Sequence, residues 1–206
     1  MKRPLFLVLF ALLVLFPPKG FADKAPGKIA GFALGDQIGS CAALVRMETA
    51  MPLRDQLYLR VVETKDLDGY KSGTIAFGEC ANPGRIVRIK LKYEFSDREF
   101  YNELLARFEQ RFGEPDEWRG DPFHVIIAWK WSFKDRDNNK ISLILQHSRD
   151  EEYKWGNSVK LTNTTLIEEE RSCYEKKHPN PTDDQGRKTI DKTSLKKLDY
   201  QRFVPE

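Results

Sequence analysis

The chain has 206 residues, 34 Lys and Arg against 31 Asp and Glu, and a formal charge of +3, with 40% apolar residues. That is enough material for one sizeable domain, and the small basic excess argues against a nucleic-acid binder, whose footprint is a concentration of positive charge. Three cysteines in the whole chain allow at most one internal disulfide.

Residues 1–22 read as a secretory signal. Lys2 and Arg3 precede an apolar run over 5–16, and Gly20-Phe21-Ala22 supplies a small-x-small cleavage site. An uncleaved anchor is the weaker alternative, because the run is shorter than the roughly 20 apolar residues a spanning helix needs. Cleavage after Ala22 leaves 206 − 22 = 184 residues and removes Lys2, Arg3 and Lys19, which brings the formal charge from +3 to zero. No transmembrane span is then expected. Export also puts Cys41, Cys80 and Cys173 where disulfides persist. Cys80 with Cys173 is the favoured pair and Cys41 with Cys80 the next, with Cys41 otherwise a buried thiol.

Beyond the signal, residues 29–34 are short and apolar with glycines, and 36–51 read as a weak helix ending near Pro52. Residues 57–63 and 70–78 read as strands separated by a turn over 65–69. The strand over 85–93 is the clearest. Val87, Ile89, Leu91 and Tyr93 alternate with Arg88, Lys90 and Lys92, which predicts one buried face and one wet one.

The stretch 95–115 reads as an amphipathic helix. Ser96 is the expected N-cap, with Glu99 completing a capping box, and Gly113 and Pro115 end it. Phe100, Tyr101, Leu104, Leu105, Phe108 and Phe112 form one apolar stripe. Burying it is worth on the order of 10 kcal/mol, so its partner must be a broad apolar sheet face.

Two further strands follow. Val125, Ile127, Trp129, Trp131 and Phe133 share one face of the first, Ile141, Leu143 and Leu145 one face of the second, and Asp135 to Asn139 form the turn between them. Parity of the apolar faces puts Phe133 opposite Ile141 and Trp131 opposite Leu143. Residues 158–162 are the last expected strand and 166–174 a closing helix. From His178 onward the chain is polar, with 195–204 as a candidate docking helix.

The expectation is therefore a single α+β domain over 23–177. Antiparallel strands run in a helix-βββ-helix-βββ-helix order, with the central helix on one sheet face, and a polar tail follows over 178–206. This order resembles that of secreted bacterial helix-plus-sheet modules such as the β-lactamase inhibitory proteins and small envelope-assembly lipoproteins. Phe112-Gly113-Glu114-Pro115 is similar to a helix-to-strand joint in such modules. The resemblance implies architecture only.

No catalytic or cofactor motif is present. His124 and His147 fall on opposite sheet faces and His178 in the tail, so they do not converge on a metal, and the cysteines lack close pair spacing. Asp135, Asp137 and Asn139 match the start of a calcium loop, but Lys140 stands at its glycine position and Gln146 at its bidentate glutamate position. There is no G-x-S-x-G elbow, and no Gly-rich loop runs from a strand into a helix.

Two surface features remain. Arg85, Arg88, Lys90 and Lys92 should line one wet sheet face, with Lys130 and Lys160 joining them, and Ile126, Ala128 and Ile144 add apolar surface to it. The competing explanation is edge protection by solvated lysines. Trp129 and Trp131 could stack sugar rings, but their face is the one the helix needs as a core. These features point to an exported bacterial envelope or periplasmic binding protein whose partner is a protein or an anionic envelope component. The alternative is a small envelope hydrolase with an unrecognised active site.

Overall fold

The structure, a computed structural model, describes residues 25–150 and 155–179. The expected signal peptide and nearly all of the polar tail, with its candidate docking helix, lie outside the described residues. The element order is β1 (Lys28–Ile29), β2 (Phe32–Ala33), a 3-10 segment (Ile38–Leu44), β3 (Val45–Leu53), β4 (Gln56–Thr64), β5 (Tyr70–Gly78), β6 (Ile86–Tyr93), α1 (Arg98–Phe112), β7 (Glu117–Trp118), β8 (Ile126–Lys134), β9 (Lys140–Ser148), β10 (Gly156–Asn163) and α2 (Thr164–Lys177). β3 to β10 form one antiparallel sheet in the order β3-β4-β5-β6-β10-β9-β8-β7, and β1 and β2 pair separately. The fold is α+β.

α1 lies where its stripe requires. Tyr101 is fully buried, and Phe100, Leu104, Leu105, Phe108 and Phe112 pack on the main core. Phe108 meets Trp131 edge-on at 5.8 Å and Phe112 meets Phe133 at 5.6 Å. The N-cap is Asp97 rather than Ser96: its carboxylate accepts the Phe100 N–H at 2.7 Å. Both residues carry a capping oxygen, so sequence alone left the cap ambiguous by one position. Gly113 takes a positive φ of 89° as the helix ends, and its carbonyl accepts the Trp131 indole N–H at 2.8 Å.

On the same sheet face, Phe32, Ile38 and Cys41 join Val62, Ile75 and Phe77 in that core, so the N-terminal hairpin and the 3-10 segment cover what α1 does not. The helix expected over 36–51 is absent. Its first part is the 3-10 segment and its second part is the edge strand β3, because Val45 is buried in the sheet core while Arg46 pairs across to Glu63 on β4. The two-residue strand β7 was not anticipated.

α2 crosses the opposite face. Leu166 and Ile167 pack on Leu59, Ala76 and Val87, and Tyr58 meets Tyr174 at 6.2 Å. Val87 is thus not on the α1 face with Ile89, Leu91 and Tyr93. A register shift places Phe77 opposite Ile86 and Ala76 opposite Arg88, so Val87 is the extra residue of a bulge and turns toward α2.

His147 and Asn157 tie the sheet to the start of α1. The Asn157 amide donates to the carbonyls of Phe95 at 3.0 Å and Asp97 at 2.8 Å. Its oxygen therefore faces His147 Nδ1 at 2.8 Å, which makes Nδ1 the protonated nitrogen.

The Tyr101 hydroxyl is buried with no hydrogen-bond partner among the described residues, and burial raises the phenol to a pKa of about 12. Tyr101→Phe is expected to be neutral or to stabilise by up to about 1 kcal/mol in urea unfolding, because an unpaired buried hydroxyl costs more than its removal. A loss of more than that would mean the hydroxyl has a polar partner.

Candidate functional site

α1 and the N-terminal segment pack on one face of the sheet, and α2 packs on the other over β4, β5 and β6. The rest of that second face, on β6, β10, β9 and β8 opposite α1, is bounded by the start of α2. There the sheet forms a groove of about 930 Å³. Strand register orders its residues in rows, with neighbouring strands about 4.8 Å apart. One row runs Lys90, Lys160, Ile144, Lys130, Glu117 across β6, β10, β9, β8 and β7. On one side lies Arg88, Thr162, Ser142, Ser132, and on the other Lys92, Ser158, Gln146, Ala128.

Among the described residues, the lining contains the cations Arg88, Lys90, Arg119, Lys130, Lys134, Lys140 and Lys160, and no carboxylate. Lys90 sits directly opposite Lys160. Like charges in that position repel, so the pairing itself does not stabilise the sheet. Arg88 donates to Gln56 Oε1 at 2.9 Å, and burial pulls its pKa below the ordinary guanidinium value. Glu117 lies just outside the lining and pairs with Lys130 at 3.0 Å and Arg119 at 2.9 Å. The Lys130 hydrogen bond, with Arg119 beside it, holds the Glu117 carboxyl below its usual range. Lys92 is on the same face but faces a smaller neighbouring cleft with Lys71 and Lys90. Its pKa is lowered by burial first and then by those two lysines.

Of the residues singled out in the sequence, Arg88, Lys90, Lys130, Ile144 and Lys160 therefore come together, with Ala128 at 2% exposure in the floor. Arg85 does not join them. It precedes the bulge, forms a β-bridge with Gln37 and lies outside the groove lining. Ile126 is half-buried one step beyond Ala128 and takes no part in the lining. Lys134 and Lys140 were missed, although they are directly opposite each other and the parity that paired Phe133 with Ile141 places them on the wet face. Arg119 could not be found that way, because it follows a strand of only two residues.

No protein-family model, curated protein or solved structure matches this chain. The likeness to secreted helix-plus-sheet modules stays one of element order.

Among the described residues, the groove lining holds neither histidine, cysteine nor carboxylate, and its titratable side chains are lysines and arginines. Among the described residues, no group of three His, Cys, Asp or Glu side chains could hold a metal ion. Asp135 is occupied with its own turn, accepting from the Asp137 and Asn139 N–H groups at 2.9 and 2.8 Å. Trp131 is 1% exposed beneath α1, and Trp129 packs edge-on against Trp118 at 4.8 Å. The pair makes no flat platform for a sugar ring. Cys80 and Cys173 are bonded, and Cys41 is a buried free thiol.

Proposed function

We propose that this chain is an exported, non-enzymatic binding protein of a bacterial envelope, and that it engages an anionic partner through the groove on β6, β10, β9 and β8. The observation that carries this reading is the concentration, among the described residues, of seven cations and no carboxylate in the lining of one concavity of the sheet. Low-dielectric walls strengthen the field above such a surface and raise the local concentration of anions. Export is supported by the residue pattern of 1–22 and by the Cys80–Cys173 bridge, since disulfides persist outside a reducing cytosol. Among the described residues, no helix is long and apolar enough to cross a membrane.

The site is tested by a photo-crosslinking side chain placed in intact cells at Ile144, in the groove, or at Arg107, on the outer side of α1 across the sheet. Adducts are expected from position 144 alone, weakened by salt and lost when Lys90→Glu and Lys160→Glu are combined. Equal adducts from both positions, or adducts indifferent to charge reversal, would remove the groove from the function.

Export has its own test. N-terminal sequencing of the exported protein is expected to begin at Asp23, and alkylation of the unfolded protein without reductant to label one cysteine, Cys41. A chain beginning at Met1 in the cytosolic fraction would contradict it.

A further inference from the structure

Resting on that reading of the groove, we infer that its ligand is a phosphate-bearing polyanion, with ammonium groups of the lysines meeting successive phosphates and hydroxyls of the floor donating to their oxygens. The choice of phosphate over carboxylate comes from the kind of donor the groove presents. Carboxylates are recognised best by guanidinium groups in two-point contact. Here one N–H of each guanidinium is taken by a protein group, Arg88 by Gln56 at 2.9 Å and Arg119 by Glu117 at 2.9 Å, and Glu117 also takes Lys130 at 3.0 Å. Five of the seven lining cations are lysines, each a compact charge with three rotatable donors.

Between those lysines the floor carries Ser132, Ser142, Ser158 and Thr162, single-point donors that suit the separate oxygens of a tetrahedral anion. α2 opens at the end of the groove, where Thr164 and Lys140 both line it, so the positive end of a 14-residue helix adds to the same field. A polymer rather than a lone ion fits the layout. Lys90 and Lys160 are one strand apart, and Lys130 lies two strands further on. At about 4.8 Å per strand the charges extend over roughly 15 Å. Among the described residues, the lining offers Phe133 as its one aromatic ring and presents no stacking series of the kind single-stranded nucleic acids use.

The experiment measures binding of two fluorescent probes to the exported, oxidised protein by anisotropy over a series of salt concentrations. One probe is linear inorganic polyphosphate and the other poly-glutamate of matched charge. Polyphosphate is expected to bind at least tenfold more tightly, with log affinity falling linearly in log salt. Combining Lys90→Gln and Lys160→Gln should weaken it tenfold or more and reduce the salt slope by about 1.5, as loss of two phosphate contacts predicts. Arg107→Gln, on the far side of α1, should change neither quantity. Circular dichroism of each variant checks that the sheet is retained. Poly-glutamate bound as tightly as polyphosphate would overturn the phosphate assignment while leaving the groove as an anion site. Failure of both probes would sink the groove reading as well, and polyphosphate binding that ignores Lys90 and Lys160 would place the phosphate site elsewhere.

Discussion

Glu170→Ala is expected to destabilise the protein by about 3 kcal/mol, an unusually large effect for a helical glutamate. Glu170 sits in a charged run, Glu168-Glu169-Glu170, which in sequence looks like a solvated helix face. In the fold it is 0% exposed. One carboxylate oxygen accepts the backbone N–H groups of Glu79, Cys80 and Ala81 at 3.0, 2.6 and 3.2 Å, and the other accepts that of Asn82. The 79–82 loop is therefore wrapped around a carboxylate on α2. Four donors lose their acceptor when it is removed, and their partial exposure keeps the cost below that of four fully buried ones.

Glu170→Gln should recover only part of the loss, because one side of the amide presents N–H to N–H. Gly78 makes the same point from the other side. A Cβ built there meets Glu170 Oε1 at 2.3 Å and the Asn82 carbonyl at 2.8 Å, so Gly78→Ala should cost about 2 to 3 kcal/mol by overpacking. In the double variant Glu170→Ala, Gly78→Ala, the clash with the carboxylate is gone and only that with the Asn82 carbonyl remains, so the total should fall short of the sum. Urea unfolding reads all of these values. A Glu170→Ala variant within 1 kcal/mol of the parent would show that water replaces the carboxylate without loss.

Glu170 also marks the limit of what the sequence made legible. Periodicity identified α1, the stripe it buries and the register of β8 with β9, because each rests on local alternation that only one arrangement satisfies. The same logic found six of the groove's lining residues, whereas the Cys80–Cys173 pair was favoured over Cys41–Cys80 without any local pattern that fixes it. It failed where a position is fixed from a distance. The bulge that turns Val87 toward α2 comes from the way β6 meets β5, and nothing in its alternating run announces it. Residues 45–53 are a strand because they extend the sheet edge beyond β4, against a composition of Met, Glu and Ala that suits a helix. The face α2 covers is likewise a matter of topology. That choice confines the groove to one half of the sheet and leaves Arg85 outside it.

Reduction of the Cys80–Cys173 bridge, or its removal by Cys80→Ser with Cys173→Ser, is expected to lower the melting temperature by roughly 10 °C. The bridge joins residues 93 apart in sequence. Loop-closure entropy for a separation of that length is worth about 4 to 5 kcal/mol in the chain-entropy model, and measured values for native bridges run from about 2 to 5. The bridge acts on the loop that Glu170 holds: Cys80 gives its N–H to Glu170, and Cys173 follows Glu170 by one helical turn. The two restraints should therefore be coupled. With the bridge intact, its covalent tether keeps the loop near α2 after Glu170→Ala; without it, the Glu170 carboxylate and the Asn82 amide, which donates to Glu169 at 2.9 Å, hold the loop there. Conversely, a loop already released by loss of the bridge makes weaker bonds to Glu170, so the second change costs less than it would alone. A double-mutant cycle distinguishes these outcomes, and the geometry favours an interaction energy of about 1 kcal/mol in the second direction, because all four carboxylate bonds require the loop to be closed. Cys41→Ser serves as the control: that thiol is buried and unbridged, so its replacement should leave the response to reductant unchanged. A melting temperature unaffected by reductant in the parent would mean that α2 stays docked through Glu170 and its apolar contacts alone.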